Sequence, residues 1–76
     1  MTTKEQLLIK HKEARDWNTG EVILWLQNDE PLYLGAKKVK RVNSMATFWR
    51  MNKPSGAKVN VRYVDWKEVF KTIQGE

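Results

Sequence analysis

Apolar residues recur at three- and four-residue spacing over several stretches of this chain, and polar breaks separate them. In residues 66–74 the apolar stripe is Trp66, Val69, Phe70 and Ile73, which predicts a helix. Asp65 and Glu68 stand at its start with capping-box spacing, each side chain satisfying a free backbone donor of the other residue. Residues 30–42 predict a second helix, with Leu32, Gly35, Ala36, Val39 and Val42 on one side and Lys37, Lys38 and Arg41 on the other. Pro31 suits its first turn, and Asn28 or Asp29 would cap it. Gly35, which costs about 1 kcal/mol in a helix, and Leu34, which falls on the basic side, do not fit that pattern.

Residues 3–16 predict a peripheral helix, opened by Thr3 with Gln6 or Thr2 with Glu5 and carrying Leu7, His11 and Ala14 on one face. The run Asp16-Trp17-Asn18-Thr19-Gly20 then reads as a break. Residues 19–28 fit either a helix buried nearly all round or a buried strand. Val22, Trp25 and Leu26 share a helical face, but Ile23 and Leu24 are apolar as well. Residues 45–52 also read both ways, as a strand or as a helix capped by Ser44 with Met45, Phe48 and Trp49 inward. Pro54-Ser55-Gly56 is a turn signal. After it Val59, Val61 and Tyr63 alternate with Lys58, Asn60 and Arg62, the pattern of a short strand. The sum is a mainly α fold, α+β at the margin: a single-domain helical bundle over residues 1–76, with a short strand or hairpin near 45–64 and a C-terminal helix.

Composition narrows how such a fold holds together. A chain of 76 residues buries only about 60% of its unfolded surface, so its core is thin. It has no cysteine and one histidine, which removes disulfides and thiolate metal sites and leaves little for a structural zinc. Aromatic packing supplies the bulk, with Trp25 and Trp66 expected inside and Trp17 as a staple at a helix junction. The longest apolar run, Val22 to Leu26, is far short of a membrane span, and no export signal opens the chain. A cytoplasmic location and no membrane partner are the expectation.

Charge adds the main functional lead. The formal net charge is +5, and the excess is uneven: residues 37–62 contain no Asp or Glu. An acid-free band of this length predicts a polyanionic or acidic partner. Its candidate contact residues are Lys37, Lys38, Lys40, Arg41, Arg50, Lys53, Lys58 and Arg62. On a helix, the first four would fall within about 6 Å of rise, close to the spacing that meets successive phosphates. Trp49, next to Arg50, is the tryptophan placed to touch a partner, since aromatic faces stack on bases.

Catalytic chemistry is thin. His11, the only histidine, reads as a partly buried helix-face residue. Asp29 and Glu30 are sequence neighbours and point apart, so they form no acid–base pair by spacing. No phosphate loop is present, and no cofactor or metal is implied. The expectation is a binding module and not an enzyme.

Two resemblances bear on the partner. Trp17-Asn18-Thr19, then Leu24-Trp25-Leu26-Gln27-Asn28-Asp29-Glu30-Pro31-Leu32-Tyr33, then Ala36-Lys37, resembles a family of small phage- and plasmid-encoded proteins, and Val64-Asp65-Trp66-Lys67-Glu68 is similar to their C-terminal helix. Residues 37–62 depart from that pattern, being basic and hairpin-like where the family is acidic and helical. The resemblance implies a mainly helical domain of mobile-element origin. An accessory factor docking in the host cytoplasm on a nucleic-acid-handling or defence protein is then the first functional expectation. A DNA- or RNA-binding protein gripping phosphates through residues 37–62 is the alternative. Lys37-Lys38-Val39-Lys40-Arg41-Val42 with Met45 and Phe48 is also similar to the small SH3-like barrels of archaeal chromatin proteins. That likeness implies a β-barrel flanked by N- and C-terminal helices, with Val42 and Met45 as wedges in a DNA minor groove.

Overall fold

The computed structural model describes residues 4–75, with side chains from Lys10 onward. Among the described residues there are four α-helices and one 3₁₀ turn: α1 (Lys4–Asn28), α2 (Glu30–Lys37), α3 (Val42–Asn52), the turn Val61–Tyr63, and α4 (Trp66–Gln74). The fold is mainly α. No strand occurs among the described residues, so the barrel architecture does not apply. The Thr2 and Thr3 capping boxes and the side chain of Leu7 lie outside what is described.

The C-terminal helix α4 packs against α1, α2 and α3. Its predicted stripe explains why: Val69 and Ile73 are fully buried, and Trp66 and Phe70 are half-buried at the edges. Asp65 caps it, its side chain accepting from the Glu68 N–H at 3.2 Å. Val22 and Leu26 of α1, Ala36 of α2, and Met45 and Trp49 of α3 complete the helical part of the core. Each such aliphatic side chain contributes about 1.5–3 kcal/mol by leaving water.

Two predicted helix boundaries move, and at both places side chains meet backbone distant in sequence. The first helix runs through the expected break at 16–20 and settles residues 19–28 as helix. Leu24 is exposed and Ile23 and Trp25 are half-buried, so the segment is not buried all round. Trp17 therefore staples no junction and stands on the surface. The helix predicted over 30–42 ends at Lys37. Gln74 of α4 stops it, donating from Nε2 to the carbonyls of Ala36, Lys37 and Val39 at 3.4, 3.1 and 2.8 Å. Its start follows the pattern, with Asp29 accepting from the Leu32 N–H and Pro31 in the first turn. Gly35 suits this position because a Cβ would lie 2.8 Å from the end of the Phe48 ring, which would have to shift to admit it.

Residues 45–52 are helical, inside an α3 that begins at Val42. Arg41 takes the cap position without a side-chain bond, and Ser44 is an exposed residue of the first turn. The strand expected over 59–63 is absent. Its alternation survives in part, with Val59 buried between exposed Lys58 and Asn60, but no second strand lies beside it. Instead the Asn60 side chain accepts from the Arg62 N–H at 3.1 Å and turns the chain into the 3₁₀ turn.

Candidate functional site

The connection between α3 and α4 is where charge and architecture meet. It begins with a turn in which the Pro54 carbonyl accepts from the Ala57 N–H at 3.0 Å. Ala57, Val59 and Val64 then enter the core, each under a tenth exposed. Two buried polar residues of α1 hold its backbone. Asn18 Oδ1 accepts from the Asn60 N–H at 2.8 Å, while its Nδ2 donates to the Ala14 carbonyl one turn back in its own helix at 2.6 Å. Thr19 Oγ1 accepts from the Asp65 N–H at 2.8 Å. The connection is therefore fixed against α1, and between its buried positions Lys58, Asn60, Arg62 and Tyr63 are exposed while Val61 packs against the core.

That geometry builds two basic concavities. The first, of about 620 Å³, is lined by Arg50 and Lys53 from the end of α3 and its exit and by residues Ala57 to Val61, including Lys58. The second, of about 390 Å³, lies between α1 and the 3₁₀ turn and is lined by His11, Lys12, Arg15, Arg62 and Tyr63. Neither has a carboxylate among its lining residues. Within a low-dielectric wall, such same-sign charges focus the field on an incoming anion.

The predicted contact residues therefore separate into groups. Arg50, Lys53 and Lys58 come together, whereas Arg62 joins the second concavity. Lys37, Lys38, Lys40 and Arg41 sit at the other end of α3, roughly 16 Å away by helix rise. They do not form a helical ladder, because α2 ends at Lys37 and the rest lie in the turn before α3. Lys37 is half-buried, with Nζ 5.6 Å from the centroid of the Tyr33 ring.

Trp49, expected to face a partner, is instead 1% exposed and belongs to the core, so its ring does not stand on the surface to stack on a base. Among the described residues no acceptor reaches its buried Nε1. Leaving that donor unpaired costs about 1–3 kcal/mol. Burying the ring, worth roughly 4–6 kcal/mol at 150–250 Å² of area, outweighs it. Met45 is likewise fully buried and Val42 half-buried, which removes the proposed minor-groove wedges.

His11, Lys12, Arg15 and Tyr63 were not apparent in the sequence as site residues. His11 is exposed and not partly buried as expected. It meets Tyr63 edge to face, with ring centroids 6.1 Å apart and planes inclined at 66°. The one sequence signal was positional: residues 11, 12 and 15 share a helix face at three- and four-residue spacing. Glu13 and Asp16, which interrupt the basic run in sequence, do not line the concavity.

A third, more apolar depression of about 280 Å³ on α1 is lined by Glu21, Leu24, Trp25 and Asn28. Among the described residues no group of acidic and histidine side chains is placed to hold a metal ion, and no helix is long and apolar enough to cross a membrane. The chain matches no protein-family model, no curated protein and no solved structure.

Proposed function

We propose that this chain is a non-enzymatic binding module that grips the phosphate backbone of a nucleic acid through Arg50, Lys53 and Lys58. The observation that carries the reading is the first concavity, an open depression lined by all three of these cations together with buried Ala57 and Val59. A guanidinium and two ammonium groups on one fixed wall suit successive phosphate oxygens. Contacts of this kind position a strand without reading its sequence.

The test is a salt titration of binding to a labelled oligonucleotide. Affinity should fall log-linearly with salt, losing about 0.7–0.9 in slope for each phosphate neutralised. No binding at low salt to any single strand or duplex overturns the reading.

A second reading follows from the phage and plasmid resemblance and from the exposed α1 surface. Trp17 and Leu24 are each 55% exposed, and Leu24 borders the apolar depression. A mobile-element accessory protein would dock that surface on a host protein that handles nucleic acid or defence. Capture from host lysate after nuclease treatment tests it, and recovery of no specific partner counts against it.

A further inference from the structure

We infer that the second concavity is a stacking site for an unpaired base, so that the nucleic acid held by this chain is single-stranded. The inference rests on the phosphate-gripping reading above and specifies its ligand.

Four observations support it. The concavity has cationic side chains on both walls, Lys12 and Arg15 from α1 and Arg62 from the 3₁₀ turn, with no lining carboxylate. It also presents two aromatic rings, His11 and Tyr63, in edge-to-face contact. His11 is exposed and Tyr63 keeps 36% of its surface open to solvent, so part of each ring residue is accessible to a ligand. Finally, the two concavities adjoin in sequence: Val61 lines the first and Arg62, the next residue, lines the second.

Aromatic faces beside a cationic track are the recurring device for holding a single strand. The cations follow the backbone while a ring stacks on whichever base arrives, since every base has a π-face. A guanidinium beside the ring adds a cation–π contribution, which Arg62 and Arg15 are placed to supply. A duplex fits this arrangement poorly. Its bases are stacked inside the helix, and presenting one to Tyr63 requires unpairing and unstacking it first. The Asn18 hydrogen bond to the Asn60 backbone fixes the start of the turn, so little backbone ordering is left for the moment of binding.

Fluorescence anisotropy at low salt tests the proposal, using the full chain with a labelled single strand of about 12 nucleotides and a duplex of the same sequence. The single strand should bind about tenfold more tightly than the duplex. Tyr63→Ala should remove about tenfold from single-strand affinity and leave duplex affinity unchanged, while Tyr63→Phe, which keeps the ring, should bind like the parent. His11→Ala on the opposite wall is the second variant and should lower single-strand affinity in the same sense, should Tyr63→Ala perturb folding in a thermal melt. Duplex binding as tight as single-strand binding, or full single-strand affinity in folded Tyr63→Ala and His11→Ala, overturns the stacking site. The phosphate reading survives that result provided Arg50→Ala and Lys53→Ala still weaken binding. No binding of either oligonucleotide overturns both.

Discussion

Two connections leave α3, one at each end, and both carry basic residues, yet they build different surfaces. The connection from α2 is a short turn, and Lys38, Lys40 and Arg41 stand exposed on it without lining the basic concavities. The connection to α4 is longer. It sends Ala57, Val59 and Val64 into the core, ties its backbone to α1 through Asn18 and Thr19, and holds Lys58 and Arg62 at two concavities. Similar local charge thus has different consequences. Immobilising a rotamer-rich side chain on binding costs about 0.5–1.5 kcal/mol. Cations that line one concavity offset that cost with several contacts to one ligand, whereas cations spread over a turn offset it singly.

The largest expected effect puts this contrast to a direct test. Replacing Arg50, Lys53 and Lys58 together by Ala should weaken single-strand binding about 100-fold at low salt, roughly 1 kcal/mol for each cation removed. The slope of log affinity against log salt should shrink by about 2, at about 0.7 for each single-strand phosphate neutralised. Replacing Lys38, Lys40 and Arg41 together should cost less than about threefold, the residue of a weakened long-range field. Equal effects in the two triple variants would show that net charge, and not the fixed wall, governs binding.

A smaller effect concerns what fixes the wall. Asn18→Ala removes the acceptor from the Asn60 N–H, a group on a partly buried connection, and should cost about 2 kcal/mol in urea unfolding. Gln74→Ala removes the donor that meets the carbonyls of Ala36, Lys37 and Val39. Lys37 and Val39 lie at the surface end of the α2–α3 turn, where water can replace the amide, so the cost should be nearer 1 kcal/mol. Oligonucleotide affinity should fall with Asn18→Ala and hold with Gln74→Ala. The reverse order in either measurement would make the α2–α3 turn the more structured of the two.

How much of this was legible in sequence follows the same division. Helix α4 and the start of α2 were readable because a stripe and a local cap agree, Asp65 with Glu68 in one case and Asp29 with Leu32 in the other. The middle of α1 was not readable. Asn18-Thr19-Gly20 carries turn chemistry, and its real partners are the backbone of Asn60 and Asp65, 42 and 46 positions away. The same distance hid half of the candidate site. Arg50, Lys53 and Lys58 lie in one acid-free band, whereas His11, Lys12 and Arg15 join Arg62 only once the connection is laid on α1. The strand pattern over 59–63 was a true reading of which side chains are buried near Val59. Period two reports alternation, and alternation becomes a strand only when a neighbour offers backbone partners.

The smallest effect comes from two glycines, both inside helices, and it has opposite signs. Alanine in a helix interior gains about 0.5–1 kcal/mol over glycine, mostly from the entropy of the unfolded chain. Gly20 in α1 has nothing within 4 Å of where a Cβ would sit, so Gly20→Ala should collect that gain and raise the melting temperature by a few degrees. Gly35 stands where α2 meets α3, with the Phe48 ring 2.8 Å from the new Cβ. Phe48 packs against the core, so making room moves the ring against its neighbours, at about 1–3 kcal/mol for an overpacked contact. The helix gain offsets part of this, and Gly35→Ala should be destabilising by about 1 kcal/mol net. Because this strain falls beside the α2–α3 turn and away from the concavities, oligonucleotide affinity should be unchanged in both variants. A Gly35→Ala protein that melts higher than its parent would mean that the helices part easily there, and that the α2–α3 end is held more loosely than the contact with Phe48 requires.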